Sequence, residues 1–233
     1  MDMLQLREKE IFETLKGIKK YRFVVIGGYA VNAYTLPRFS ADCDIVVEDE
    51  QEAKEIGKEI EKLGYKKEES RIAAVQYAEF KRYEKEIRTN FRVSVDILIN
   101  SVLDRHTKSS FKAKWVFENS ALRMLKGKTI TEELRVRIVT LDALVVMKII
   151  SCRNTDIRDV FMLMPQAKNI GWIKEEISKR CDFQSRLEKI IEKVTSIQFK
   201  DNLQGVYGYI DKHIFEKHKN AISDFVIYDG EVI

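Results

Sequence analysis

Asp42 and Asp44 are separated by a single residue in the segment Arg38-Phe39-Ser40-Ala41-Asp42-Cys43-Asp44-Ile45-Val46-Val47. The β-branched run at its end predicts a strand over Asp42 to Val47, and residues two apart in a strand project from one face, about 7 Å from each other. Two carboxylates so placed repel unless a cation lies between them. Oxygen donors with no His or Cys pair nearby suit Mg²⁺ or Mn²⁺ better than zinc. A third acid, Asp96, interrupts the apolar second half of Arg92-Val93-Ser94-Val95-Asp96-Ile97-Leu98-Ile99, where an unpartnered carboxylate is costly to bury. If that strand neighbours the first, the three acids form a cluster able to hold two divalent ions. Such a cluster stabilises the entering and leaving oxygens of a phosphoryl group in in-line displacement. Taken one at a time, each acid also has a plain reading as a solvated charge at a strand edge or end.

The other half of a phosphoryl-transfer site lies upstream. Phe23 to Ile26 is a short strand stopped by Gly27-Gly28, after which Tyr29 to Leu36 reads as a helix that Pro37 ends. Backbone N–H groups at a glycine turn entering a helix bind phosphate anions, although two glycines alone are commonly just a tight turn. The order is informative: strand, glycine turn, Arg-x-Ser-x-Asp-x-Asp, then a later strand acid.

In this order of residues the sequence resembles the DNA polymerase β-type nucleotidyltransferase superfamily, and within it the AbiEii/AbiGii toxin-like proteins. Their motif, Gly-Gly-x-Ala followed by Arg-x-Ser/Thr-x-Asp-x-Asp, is matched by Gly27, Gly28, Ala30, Arg38, Ser40, Asp42 and Asp44. The resemblance implies that Asp42 and Asp44 hold catalytic Mg²⁺ (or Mn²⁺), that Asp96 is the third metal-binding acid and helps activate the attacking hydroxyl, and that Gly27 and Gly28 face a nucleoside triphosphate, with Arg38 and Ser40 completing the nucleotide site. A second patch extends it. Leu141 to Lys148, followed by Arg153-Asn154-Thr155-Asp156-Ile157-Arg158-Asp159, resembles the family's Asp/Glu-x-Leu-x-x-x-Lys helix and its Arg-x-x-Lys-Asp-x-x-Asp continuation. By that likeness Lys148 contacts the nucleotide phosphates and counts with the catalytic residues, and Asp156 belongs to the nucleotide site by orienting Lys148 or Arg153. Read from the residues alone, Lys148 on an apolar helix reaches a cleft, an acid or solvent, and Asp156 is a helix N-terminal charge. Two departures stand out: Tyr29 follows the glycines where relatives carry Ser or Thr, and Thr155 replaces a lysine.

The implied activity is transfer of a nucleoside monophosphate from an NTP to an acceptor hydroxyl on RNA, tRNA or protein, as a toxin with an antitoxin partner. The alternatives are a non-catalytic nucleotide- or RNA-binding protein on the same fold, or an enzyme that modifies a small antibiotic-type molecule.

The remaining elements must position these residues. Leu4, Leu6, Ile11, Phe12, Leu15 and Ile18 have helical spacing. Glu50 to Leu63 reads as a charged helix closed by Gly64. Ala73 to Tyr83 and Phe91 to Asn100 read as strands joined through a connection at Glu84 to Asn90, with Lys114 to Phe117 and Arg135 to Val139 as weaker strands. Beyond Leu141 the period is helical, broken near Asn154, Pro165 to Gly171 and Asp182. The expected fold is α+β: a nucleotidyltransferase-type mixed sheet flanked by helices over residues 1–140, then a helical region over 141–233 that contributes to the cleft.

Composition agrees with such a protein without specifying it. The chain has 233 residues, about one and a half domains at roughly 150 residues each. Hydrophobic residues at 45% and charged residues at 33% fit a folded chain rather than a disordered one. The net charge of +4 neither requires nor excludes a polyanion. Cys43, Cys152 and Cys181 form no CxxC pair, which suggests a reducing, cytoplasmic setting, and no apolar run is long enough to span a membrane. His106, His213 and His218 are too scattered for a ligand set. Trp115 and Trp172 read as core or edge residues. Arg105, Lys108, Lys112 and Lys114 around Phe111 could meet an RNA backbone or form a solvated loop.

Overall fold

The computed structural model describes residues 2–68 and 79–227, and these divide into two compact units. The first comprises residues 2–33, 37–68, 79–103 and 110–140; the second comprises residues 34–36, 104–109 and 141–227.

The first unit is built on β1 (Val24–Ile26), β2 (Asp42–Val47), β3 (Lys66–Lys67), β4 (Glu79–Arg88), β5 (Phe91–Ile99), β6 (Ser101–Leu103), β7 (Ser110–Lys112), β8 (Ser120–Lys126) and β9 (Glu133–Val139). Seven of these form one mixed sheet in the order β3-β4-β5-β2-β1-β9-β8, while β6 and β7 make a separate hairpin. The pairs β2–β5 and β1–β9 are parallel and the other neighbours antiparallel. Helices α1 (Met3–Ile18), α2 (Gly27–Val31), α3 (Glu50–Lys62) and α4 (Ala113–Glu118) accompany the sheet.

Alternation along the central strands explains the core. Cys43 and Ile45 of β2, and Val93, Val95, Ile97 and Ile99 of β5, are all buried, and α1 and α3 both pack against β5. Helix α1 supplies Ile11, Phe12, Leu15 and Ile18 at the spacing read from sequence, and α3 supplies Ala53, Ile56 and Ile60. Asp49 caps α3 by accepting a hydrogen bond from the Glu52 amide at 2.8 Å, and Gly64, at φ +91°, ends it. A buried acid fixes one turn: the Glu8 carboxylate, 1% exposed, accepts hydrogen bonds from the amides of Lys128, Thr129 and Ile130 and from the Thr129 hydroxyl.

The second unit is helical: α5 (Leu141–Ser151), α6 (Asn154–Leu163), α7 (Ile170–Ser178), α8 (Phe183–Thr195), α9 (Phe199–Tyr207) and α10 (Lys212–Ile227). Helix α5 packs on α6 and α7, and α6 on α8 and α10. Asn169 and Asp182 cap α7 and α8, at two of the breaks expected from sequence. No helix among the described residues is long and apolar enough to cross a membrane.

Four expectations need correction. Lys114 to Phe117 lies in a helix, α4, whose Trp115 ring meets the Phe111 ring of β7 in a tilted contact with centroids 4.8 Å apart. The helix after the glycines begins on Gly27 itself and ends at Val31, well short of Leu36. The hairpin connection is not Glu84 to Asn90, because β4 continues to Arg88 and the chain reverses at Thr89-Asn90, with Asn90 at φ +61°. Strand β8 was not expected at all. Of the strand read over Ala73 to Tyr83, residues 73–78 lie outside the described residues and the remainder belongs to β4.

Candidate active site

One row of side chains crosses three strands of the sheet. Asp44 stands opposite Asp96 in the parallel β2–β5 pair, and Asp96 stands opposite Arg82 in the antiparallel β5–β4 pair. Residues directly opposite one another share a face, so Arg82, Asp96 and Asp44 project together, joined by Asp42 two residues along β2. One carboxylate oxygen from each of Asp42, Asp44 and Asp96 lies within 4.8 Å of the others. Cys43, between the two β2 acids, points into the core, and burial together with the charges of Asp44, Asp42 and Asp96 pushes its thiol well above the usual range.

Asp96 is 6% exposed. Arg82 grips it with a two-pronged contact, Nε donating to Oδ1 at 2.8 Å and Nη2 to Oδ2 at 2.6 Å, while Nη2 also lies 4.0 Å from Asp42 Oδ2. These hydrogen bonds raise the guanidinium further above its already high ordinary pKa, against the effect of its partial burial. Sequence reasoning missed Arg82. Its signal was the alternation Phe80-x-Arg82-x-Glu84 along β4, which becomes useful only once the hairpin register is known.

The glycines abut the acids. Gly27 has φ +66°, and a β-carbon there would fall 2.1 Å from Asp44 Oδ2. A β-carbon on Gly28 would meet Ser40 Oγ at 2.3 Å and Arg38 Nη2 at 3.2 Å. Thus Gly27, Gly28, Arg38, Ser40, Asp42, Asp44 and Asp96 are brought together, and Ser40 Oγ lies 3.4 Å from Asp42 Oδ1. Asn32, also unforeseen, is 1% exposed and clasps the loop: its side chain accepts from the Arg38 amide and donates to the Arg38 carbonyl, both at 3.0 Å. Tyr29 turns its ring into the core at 2% exposure, where burial pushes its hydroxyl pKa well up.

Lys148 and Asp156 form a separate cluster within the helical unit. Lys148 Nζ lies 2.7 Å from Asp156 Oδ1 and 2.9 Å from Asp159 Oδ2. Asp156 also accepts from the Ser151 hydroxyl and the Arg153 amide, and Asp159 from the Tyr207 hydroxyl at 2.7 Å. Of the outcomes open to Lys148 from sequence, an acid is the one this arrangement displays.

Phe111 is 2% exposed, so its ring is not available for stacking on a base. His218 contacts the Phe161 carbonyl through Nδ1 at 2.9 Å, and Asp42, Asp44 and Asp96 are the group of acid, His or Cys side chains that could hold a metal among the described residues.

Three converging carboxylates beside a glycine turn fit a hard divalent cation by donor chemistry, with Arg82 as a competing positive charge. The fold has a precedent. A protein from H. pylori of known crystal structure, provisionally described as a nucleotidyltransferase, aligns with TM-score 0.57 at 12% identity, over 97% of this chain and 95% of its own. At that identity the likeness bears on the fold alone. No curated protein matches the sequence. Residues 3–207, however, match the family described as "Nucleotidyltransferase of unknown function" (DUF6036). The glycine turn, the paired acids and the third strand acid all lie inside that match, and the chain belongs to this nucleotidyltransferase family.

Proposed function

We propose that the chain is a metal-dependent nucleotidyltransferase that moves a nucleoside monophosphate from an NTP to an acceptor hydroxyl. The acceptor oxygen bonds to the α-phosphorus, the α–β phosphoanhydride bond breaks, and pyrophosphate leaves. The observation that carries this reading is the convergence of Asp42, Asp44 and Asp96 within 4.8 Å beside Gly27 and Gly28. Asp42 and Asp44, with Asp96, hold Mg²⁺ or Mn²⁺. The ion, when bound, supplies charge neutralisation to the phosphates. Gly27 and Gly28 present backbone amides to phosphate oxygens, while Arg38 and Ser40 add a charge and a hydroxyl donor. Asp96 binds metal or accepts the acceptor's proton.

Within this reading the chain resembles the AbiEii/AbiGii branch, with RNA, tRNA or a protein as acceptor and an antitoxin as partner, acting in the cytoplasm. Small antibiotic-type acceptors are the enzymatic alternative. One observation favours a rival without turnover: both Asp96 oxygens are engaged by Arg82, so the same cleft could hold a nucleotide or RNA and stop there. Transfer from labelled ATP, GTP, CTP and UTP with Mg²⁺, onto RNA, protein and small-molecule acceptors, tests the reading. Labelling by the wild type and none by the Asp42→Ala plus Asp44→Ala variant is expected. Equal labelling by both sinks it, and Mg²⁺-dependent nucleotide binding with no transfer establishes the rival.

A further inference from the structure

The Arg82–Asp96 contact is fixed by the sheet. Arg82 and Asp96 are register partners in the β4–β5 pair, so the guanidinium sits over this carboxylate because the hairpin places it there. The fork engages both Asp96 oxygens, at 2.8 and 2.6 Å, and the charge extends to 4.0 Å from Asp42 Oδ2. Arg82 offsets only one of the three carboxylate charges, so the acids still attract a divalent ion. A cation entering among Asp42, Asp44 and Asp96 is therefore drawn to a carboxylate that a like charge already holds.

We propose that Arg82 is an exchangeable counter-cation of the carboxylate cluster: it holds Asp96 in place when no metal is bound, and a divalent cation takes Asp96 from it. The inference rests on the metal-binding reading of the cluster given above. It has a definite sign. A fixed positive charge beside the site opposes the incoming ion, so removing that charge strengthens metal binding. If Arg82 merely oriented Asp96 for the metal, removing it would instead weaken binding, by about 10–100-fold for outer partners of this kind.

The test is Mn²⁺ binding to the full chain by calorimetry, comparing wild type, Arg82→Gln and Arg82→Lys. The expected result is binding about tenfold tighter for Arg82→Gln, with Arg82→Lys in between because it keeps the charge and loses the fork. Equal or weaker binding by Arg82→Gln overturns the proposal. A second readout needs no folded variant: in ¹⁵N-labelled wild type, the Arg82 Nε–Hε resonance moves to the position of a solvated arginine as Mg²⁺ is added. A resonance unchanged at saturating Mg²⁺ overturns the proposal by itself. If wild type binds Mn²⁺ no better than Asp42→Ala plus Asp44→Ala, the metal reading fails and this inference with it. If wild type binds better while Arg82 stays in place, only this inference falls.

Discussion

Gly27 and Asp44 fit together only because Gly27 lacks a side chain: a β-carbon there would stand 2.1 Å from Asp44 Oδ2, on a backbone whose φ is +66°. Both facts require glycine, one through space and the other through conformation. Gly27→Ala should therefore cost about 1–3 kcal/mol in stability and displace Asp44, lowering Mn²⁺ affinity as well. Gly28→Ala should be milder, since its φ is not positive, although a β-carbon there also crowds Ser40, at 2.3 Å from Oγ and 2.9 Å from Cβ. Urea unfolding and Mn²⁺ titration of the two variants, side by side, check that ranking.

Divalent cations should stabilise the chain by binding the folded state. At a free concentration one hundred times the dissociation constant, the gain is about 2.7 kcal/mol, or roughly 5–10 °C in Tm for a protein of this size. Thermal melts with Mg²⁺ or Mn²⁺, then with excess EDTA, should show the rise and its reversal. The Asp42→Ala plus Asp44→Ala variant should not respond.

Lys148 neutralises two acids that are themselves buried, Asp156 at 5% and Asp159 at 0% exposure. Lys148→Met leaves Asp156 and Asp159 facing each other without the ammonium, and removal of one partner from a buried ionic group costs about 3–5 kcal/mol. Chemical denaturation should show that loss, with partial recovery when Asp156→Asn is added.

Burial lowers the pKa of His218 below its ordinary value of 6.5, outweighing the Phe161 carbonyl contact that raises it, and Lys217 adds to the lowering. The folded chain thus binds this proton more weakly than the unfolded chain does. The sign follows from linkage: stability from neutral His218 is fully present above pH 6.5 and is lost as pH falls from there through the depressed folded-state value. Urea midpoints measured from pH 7.5 to 5 should fall for the wild type, and His218→Gln should flatten that portion of the curve.

Glu8 satisfies three backbone amides of the turn between β8 and β9. Glu8→Ala removes the acceptor of those donors, on a turn whose residues are half-buried or exposed, and should cost about 1–3 kcal/mol. Glu8→Gln, which keeps one acceptor oxygen, should cost less. Amide hydrogen exchange at Lys128, Thr129 and Ile130 gives a local readout that global unfolding does not.

Much of this architecture is written in local sequence. The two-residue spacing of Asp42 and Asp44 puts them on one strand face whatever the strand pairs with, and the helical period after Leu141 survives intact as α5 to α10. Local pattern misled where a segment was short. Lys114-Trp115-Val116-Phe117 is a short, mostly apolar run that periodicity cannot assign to strand or helix, and it folds as α4 directly after the strand that carries Phe111. Strand β8 escaped because it is an edge strand paired only with β9, leaving Leu122 54% and Met124 39% exposed and so without the buried alternation that marks a strand.

The sequence by itself determined which residues carry the chemistry: the glycine pair, the Arg-x-Ser-x-Asp-x-Asp run and an acid stranded in an apolar segment. Only the tertiary structure decided that Asp96 stands beside Asp44, that Arg82 holds Asp96, and that Lys148 pairs with both Asp156 and Asp159. The reason is physical. Strand periodicity fixes which side chains share a face along one strand, but the pairing register between strands fifty residues apart is a non-local choice, and a slip of one residue would send every side chain to the opposite face. The burial of Cys43, Ile45, Val95 and Ile97 selects the register that brings Arg82, Asp96 and Asp44 into a single row.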